Sequence, residues 1–325
     1  MKNIAIVCGG HSGEFEISMA SGKMAFKHID RKKYRPFLIV IENKQWNWLA
    51  GDREKIPVNK ADFTIEKDGE TIRFDAVFNA IHGTPGEDGK LQGYFDLLGI
   101  PYTSCGVDIS ALSFNKFLCN RFIQSFGIKT APSFSFLKGE KRDKAEILKQ
   151  LGLPVFVKPS GSGSSVGVSK VNRPEEFDEA VEKAFKEDNR ILIEEAINGR
   201  EITCGLVKRG DEILVLPLTE IISQNDFFDY DAKYTKGKAN EITPATNLSP
   251  EVETDIKTLS SFLYRQMDCK GFVRFDYILT ETELYFLELN SIPGMSDASI
   301  IPKQAESFGL TKEELFTMVV DNLFL

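Results

Sequence analysis

The chain has 325 residues, 42% of them hydrophobic and 27% charged, with a formal net charge of −8. That length exceeds what one hydrophobic core usually serves, so two or three domains are expected. The acidic balance and the lack of any Lys/Arg-rich run argue against a nucleic-acid surface, and no apolar run approaches the roughly 20 residues of a membrane span.

In chain order, Lys2 to Cys8 reads as an apolar strand ending in Gly9-Gly10. Its apolar run is too short for a secretory signal, which makes the cytoplasm the default compartment. Ile17 to His28 reads as the following helix, Tyr34 to Ile41 as the next strand and Ala76 to Ile81 as another. Strand, glycine turn, helix, strand points to an open α/β sheet, where ligands gather at the carboxyl ends of strands. Asn115 to Phe126 predicts a helix with Gly127 as its C-cap. Pro132 to Leu137 is a candidate strand, Lys144 to Leu151 a helix, Pro154 to Lys158 a strand, Glu175 to Phe185 a helix and Ile191 to Glu195 a strand. The last helix starts at Thr311, where Glu314 completes a capping box, and Leu315, Val319 and Leu323 form its apolar stripe. Soft domain borders fall near Cys105 and Ala196. The five cysteines form no CxxC pair and His11, His28 and His82 show no zinc-ligand spacing. Reduced, buried thiols are expected rather than a zinc enzyme or a nucleophilic cysteine.

The most informative stretch is Gly271 to Pro293, GFVRFDYILTETELYFLELNSIP. Arg274, Asp276, Glu288 and Asn290 lie in two strand-like runs that are otherwise apolar. Burying such groups without partners costs several kcal/mol. A magnesium ion, which takes carboxylate and carbonyl oxygens and leaves positions for phosphate, would compensate; cross-strand ion pairing on a solvated face is the plain alternative. Arg274 and Asp276 share one strand face, as do Glu288 and Asn290. For both pairs to line one cavity, Asp276 must lie opposite Glu288, which predicts an odd-length loop or a bulge near Thr280 to Glu283.

A second signal is Lys158 to Gly167, KPSGSGSSVG, a loop rich in N–H and hydroxyl donors with a cation at its base. It suits phosphate, although it is no Walker A loop, because Val168 follows Gly167 where that motif needs Lys. Read as a mere linker, it would be oddly short and oddly bracketed by apolar strands. Gly9 to Glu14 lacks the dinucleotide spacing, which sets aside a Rossmann dehydrogenase. Glu14 is either an acceptor for a substrate ammonium or a first-turn helix acid. His82, opening the turn HGTPGEDG, is more often structural than functional in such a place. The segment 227–238, FFDYDAKYTKGK, is a surface loop or a lid.

Taken together, GGHSGEFEIS, HGTPGEDGKLQG, KPSGSGSSVGVSKV, DYDAKY, RFDYIL and ELNSIPGMSDASIIP resemble the D-alanine–D-alanine ligases of the ATP-grasp superfamily. The match runs from Gly9 to Pro302 in the family's order. It implies three α/β domains, here 1–105 with the first D-alanine site, 106–196 with the Gly/Ser phosphate loop, and 197–325 with the magnesium site and lid. ATP is then held between the middle and carboxyl-terminal domains. The implied reaction phosphorylates the carboxylate of one D-alanine; the amine of a second attacks the acyl phosphate, and the dipeptide serves peptidoglycan synthesis.

Residue by residue, the resemblance gives Glu14 the first D-alanine's ammonium, with His82 beside it. Ser164 and Tyr234 would hydrogen-bond with that glutamate and close the site. Lys116 and Lys158 match the lysines on the ATP phosphates, with Ser165 in the same loop, and Lys233 matches the lysine of the lid. Glu194 and Ile197 fall in the segment framing adenine, and Glu201 matches the ribose-binding glutamate. Asp276, Glu288 and Asn290 match the ligands of Mg²⁺ (or Mn²⁺). Arg274 and the N–H of Gly294 match the groups on the tetrahedral oxyanion, and Ser299 and Ile300 the binders of the second D-alanine's carboxylate. Ala298 stands where many relatives carry His. Tyr234 is the residue of the dipeptide-forming enzymes, which favours an amine over a hydroxy acid as acceptor. D-lactate or D-serine as acceptor is the alternative within the same chemistry, and a nucleotide-binding protein without turnover the alternative outside it. The family is commonly dimeric, and Phe114 to Phe126 is an apolar segment available to a partner copy; the residues alone leave the oligomeric state open.

Overall fold

The computed structural model describes residues 1–51, 54–161, 163, 165–223 and 239–325, with backbone alone at Ser223 and Ala239. Its elements build three sheets. The first comprises β1 (Lys2–Gly10), β2 (Tyr34–Glu42), β3 (Gln45–Ala50), β4 (Glu54–Asn59), β5 (Thr64–Lys67), β6 (Glu70–Ile72) and β7 (Ala76–Asn79), in the order β6-β5-β4-β3-β2-β1-β7. β1 runs parallel to both β2 and β7. Ile4 to Gly10 is buried throughout, as a strand covered on both faces must be, which is why its sequence is a continuous apolar run. Helix α1 (Phe15–His28) packs against β1 and β2. Gly9 has φ 91°, and a Cβ there would lie 2.5 Å from the Ile41 carbonyl oxygen, so only glycine lets the chain leave β1 this close to β2. Helices α2 (Lys90–Leu98), α3 (Val107–Phe114) and α4 (Lys116–Ser125) follow. Asn115 caps α4, its Oδ1 accepting from Leu118 N.

The second sheet is antiparallel, β10-β9-β11-β8, from β8 (Ser133–Leu137), β9 (Val155–Pro159), β10 (Ser169–Val171) and β11 (Arg190–Glu195). Helices α5 (Lys144–Leu151) and α6 (Phe177–Glu187) complete its own core, in which Val155, Val157, Phe177, Val181 and Ile193 meet. The third sheet runs β15-β14-β12-β16-β17, with β13 (Glu212–Val215) also on β12 (Arg200–Arg209). Its other strands are β14 (Thr219–Ser223), β15 (Ala239–Ile242), β16 (Phe272–Leu279) and β17 (Leu284–Asn290). Helix α7 (Pro250–Gln266) covers one face of this sheet. Helices α8 (Ile300–Phe308) and α9 (Lys312–Asp321) join it to the first sheet, because Phe272, Ile301, Phe316 and Val319 share one apolar cluster with Ile4, Ile6 and Phe78. The capping box expected at Thr311 and Glu314 is present; Leu323 falls beyond α9, in a terminal 3-10 turn.

The hairpin β16–β17 corrects one expectation. Asp276 does lie opposite Glu288, and Arg274 opposite Asn290. The register change sits not in the turn but between Asp276 and Tyr277, where Leu287 is the extra residue, so Tyr277 pairs with Phe286 and Leu279 with Leu284. A bulge beside the charged pairs re-aims the strand end where it meets the cavity, while the 280–283 connection stays a four-residue loop. Among the described residues no helix is long and apolar enough to cross a membrane.

Candidate active site

A cavity of about 1110 Å³ opens between the three sheets. Glu14, His82, Lys116, Lys158, Ser165, Glu194, Ile197, Glu201, Arg274, Glu288, Asn290, Gly294, Ser299 and Ile300 line it, so residues up to 286 positions apart in sequence face one space. Ser164, Lys233 and Tyr234 lie outside the described residues.

The first wall comes from the N-terminal sheet. Glu14 precedes α1 and is 8% exposed. Its carboxylate lies against the loop after β9, since a Cβ on Gly163 would come within 2.9 Å of Glu14 Oε2. His82 is buried and tied at both ring nitrogens: Nδ1 is 2.9 Å from the Ile292 carbonyl oxygen and Nε2 3.0 Å from Ser21 Oγ. A carbonyl only accepts, so the proton sits on Nδ1, and Nε2 accepts from the Ser21 hydroxyl. Ser21 Oγ in turn accepts from Met295 N at 3.1 Å. Burial pulls the His82 pKa below its ordinary value, with the Arg274 charge acting in the same direction. The imidazole is therefore a neutral strut between α1 and the 291–299 segment.

The second wall centres on Lys158. Its Nζ pairs with Glu194 Oε2 at 2.6 Å, and Asn120 Nδ2 donates to Glu194 Oε1 at 3.1 Å. Glu194 lines the cavity but directs its carboxylate at Lys158 and Asn120, which holds the ammonium at the foot of the Gly/Ser loop. That loop is joined to α4, whose first residue, Lys116, donates its backbone N–H to Ser160 O at 2.8 Å, while Ser160 Oγ donates to Asn115 Oδ1.

The third wall is the hairpin. Arg274 Nε and Nη2 donate to Asp276 Oδ1 and Oδ2 at 2.8 and 2.7 Å, a bidentate fork. Asn290 Nδ2 donates to Asp276 Oδ2 at 2.9 Å and reaches Glu288 Oε1 at 3.4 Å. Burial works against the Arg274 cation, but Asp276, Glu288 and Glu201 outweigh it and raise its pKa above the ordinary value. Asp276 is 1% exposed and stands behind Arg274 rather than on the cavity surface. Among the described residues no three His, Cys, Asp or Glu side chains form a metal cluster; Asp276, Glu288 and Asn290 offer two carboxylates and an amide. That donor set suits magnesium, which keeps waters and phosphate oxygens for its other positions. After the Arg274 bond, Asp276 Oδ1 retains a lone pair for it.

The start of α8 closes another side of the cavity. Ser299 is its N-cap, and its hydroxyl is 2.8 Å from Ser296 Oγ and accepts from Ser296 N at 3.0 Å. A Cβ on Gly294 would meet Ser299 Oγ at 2.7 Å, so Gly294 is required for this close approach.

Two groups escaped the sequence reading. Glu87 faces the cavity and accepts from Gly83 N at 2.7 Å. Burial, then the negative field of Glu14, with Glu288 adding to it, push its carboxyl up to about 8, against the Gly83 N–H and Lys116. Its position in the turn with His82 was its only sequence signal. Asn120 carried none, because its partner Glu194 is 74 residues away.

These features coincide with a known family. The D-ala D-ala ligase N-terminus family model matches residues 3–105 and the D-ala D-ala ligase C-terminus model residues 122–321. The chain belongs to the D-ala D-ala ligase family. The D-alanine–D-alanine ligase of Flavobacterium johnsoniae is 46% identical over 321 residues, covering 99% of each chain. Among solved structures, the VanG D-Ala:D-Ser ligase of Enterococcus faecalis superposes with a TM-score of 0.87 at 31% identity, covering 99% of each chain. The D-alanine–D-alanine ligase of Bacillus anthracis complexed with ATP gives 0.79 at 26% identity, covering 100% of this chain and 98% of that one. The mixed α/β architecture is the ATP-grasp fold of this ligase family.

Proposed function

We propose that the protein joins two D-alanine molecules at the expense of ATP, with the cavity between the three sheets as its active site. The segments 1–105, 106–196 and 197–325 act as its domains. The observation that carries the assignment is the convergence of Arg274, Glu288 and Asn290, backed by Asp276, with two lysines and Glu14 on one cavity. Phosphoryl transfer needs positioning and charge neutralisation rather than a protein nucleophile, and this is that equipment.

Glu14 holds the ammonium of the first D-alanine, and neutral His82 fixes the wall beside it. Lys116 and Lys158 lie along the ATP phosphates, with Ser165 in the loop above them; Ile197 and Glu201 sit at the nucleoside end. Asp276, Glu288 and Asn290 are the residues that would hold Mg²⁺ (or Mn²⁺), which when bound neutralises phosphate oxygens. The D-alanine carboxylate takes the γ-phosphoryl group and ADP is left. Ser299 and the N–H of Ile300, at the start of α8, hold the second carboxylate, as a helix N-terminus suits an anion. The second amine, once deprotonated, attacks the acyl carbon. Arg274 and the Gly294 N–H donate to the oxyanion, and its collapse expels phosphate. Ser164, Lys233 and Tyr234 join this set as closing groups, since an acyl phosphate must be kept from water.

Purified protein given ATP, magnesium and D-alanine is expected to yield equal amounts of phosphate and D-Ala-D-Ala. Absence of dipeptide would refute the proposal. Offering D-serine and D-lactate beside D-alanine, at two pH values, reads acceptor choice in the same assay.

A further inference from the structure

Acidic side chains other than those of the proposed magnesium seat also line the cavity. Glu220 and Glu241, on β14 and β15, are both among the lining residues, on opposite faces of the sheet because Glu241 lies across from Ile221 and Glu220 from Ile242. Glu220 is matched by a bidentate fork from Arg200, at 2.8 and 2.7 Å. Glu241 pairs with Lys303 Nζ through Oε2 at 2.7 Å. Lys303 sits on α8, four residues after Ser299 and three after Ile300, and therefore on the helix face next to the proposed carboxylate seat. The Glu241 side chain is 19% exposed, so solvent screens it less than a surface acid.

On the basis of the ligase reading above, we propose that Lys303 sets the affinity for the second D-alanine by neutralising Glu241. The ion pair is not what holds α8 in place. Gln304 Nε2 donates to Thr203 O and Thr219 Oγ1, each at 3.1 Å, and Ile300, Ile301 and Ala305 are buried. Without Lys303 the helix keeps these anchors, while Glu241 becomes an uncompensated negative charge on the wall of the same cavity that Ser299 and Ile300 line. Lys303 touches the substrate only through the field at Glu241; it is a positioning residue, not a catalytic one.

The test is steady-state kinetics on four variants, with separate KM values for ATP and for the first and second D-alanine. Lys303→Met is expected to raise the second KM about tenfold at low salt, leaving kcat and the other two KM values within about twofold. The increase shrinks as ionic strength rises. Lys303→Arg is expected to behave as wild type. Glu241→Gln keeps or lowers the second KM, and Glu241→Gln combined with Lys303→Met restores it to near the wild-type value. A purely mechanical strap gives the opposite pattern, with the two single variants equally harmful and the double no better; that result overturns the proposal, as does an unchanged second KM in Lys303→Met. Wild-type protein that forms no dipeptide removes the ligase reading itself, and this inference with it; wild-type turnover with an unmoved KM removes only this inference.

Discussion

Replacing Arg274 by Met is expected to damage stability and catalysis through separable causes. In the folded protein Asp276 is 1% exposed, and its charge is met by the two Arg274 bonds and one from Asn290. Removing the cation leaves a buried carboxylate with a single amide donor, a change that costs about 3–5 kcal/mol. At roughly 2–4 °C per kcal/mol, the melting temperature should fall by about 6–20 °C. Adding Asp276→Asn removes the stranded charge and should recover most of that loss. Catalysis responds to a different property: loss of one oxyanion donor lowers kcat by about 10²–10³-fold, with kcat/KM falling in parallel and the KM for ATP little changed. Arg274→Lys keeps the charge but not the fork and should fall between. Calorimetry and coupled phosphate release, run on the same preparations below the lowered melting point, read both effects. A kcat in Arg274→Met within threefold of wild type would refute the oxyanion role, and an unshifted melting temperature would refute the buried-pair reasoning.

Gly294→Ala places a Cβ 2.7 Å from Ser299 Oγ and is expected to raise the KM for the second D-alanine at least about tenfold, with ATP binding by calorimetry unchanged. His82→Leu removes a donor to Ile292 O and an acceptor for Ser21, at a cost of about 1–3 kcal/mol in urea unfolding. In the wild type, neutral His82 makes stability fall as pH drops below the ordinary 6.5, because the unfolded chain binds a proton that the folded chain resists. His82→Leu should lose that part of the pH dependence, at most about 1.4 kcal/mol per pH unit, and an identical slope in both proteins would contradict the burial of a neutral ring. Glu87 shows the opposite sign: with its carboxyl raised to about 8, stability present at low pH is lost as pH rises from 4.5 towards 8. Glu87→Gln should therefore gain on wild type across that range and hold a constant lead above pH 8, by thermal unfolding across pH 5–9.

The pairing of Asp276 with Glu288 was legible because strand side chains alternate, so four polar residues at spacing two in apolar runs must share a face. The bulge at Leu287 was not, since a register shift depends on how both strands meet their neighbours rather than on local composition. The capping box at Thr311 was readable as local chemistry, whereas Asn115, taken as the first residue of its helix, proved to be its cap. Strands β3 to β6 escaped because they are short and alternate around exposed polar residues such as Lys55 and Glu66. Glu87 reads in sequence as one more acid in a glycine turn; its raised carboxyl comes from burial and from Glu14 and Glu288, which lie far away along the chain.

From its residues alone this protein points to its chemistry: a donor-rich glycine loop, lysines, and carboxylates set in apolar strands are costly patterns for which a phosphate and cation ligand would compensate. What the tertiary structure decided is which groups act on which. Glu194 turned to Lys158, His82 became a strut to Ile292, and Lys303 met Glu241 from 62 residues away. Electrostatic and hydrogen-bond partners are chosen by distance in space, and one-dimensional spacing carries that distance only within a helix or a hairpin.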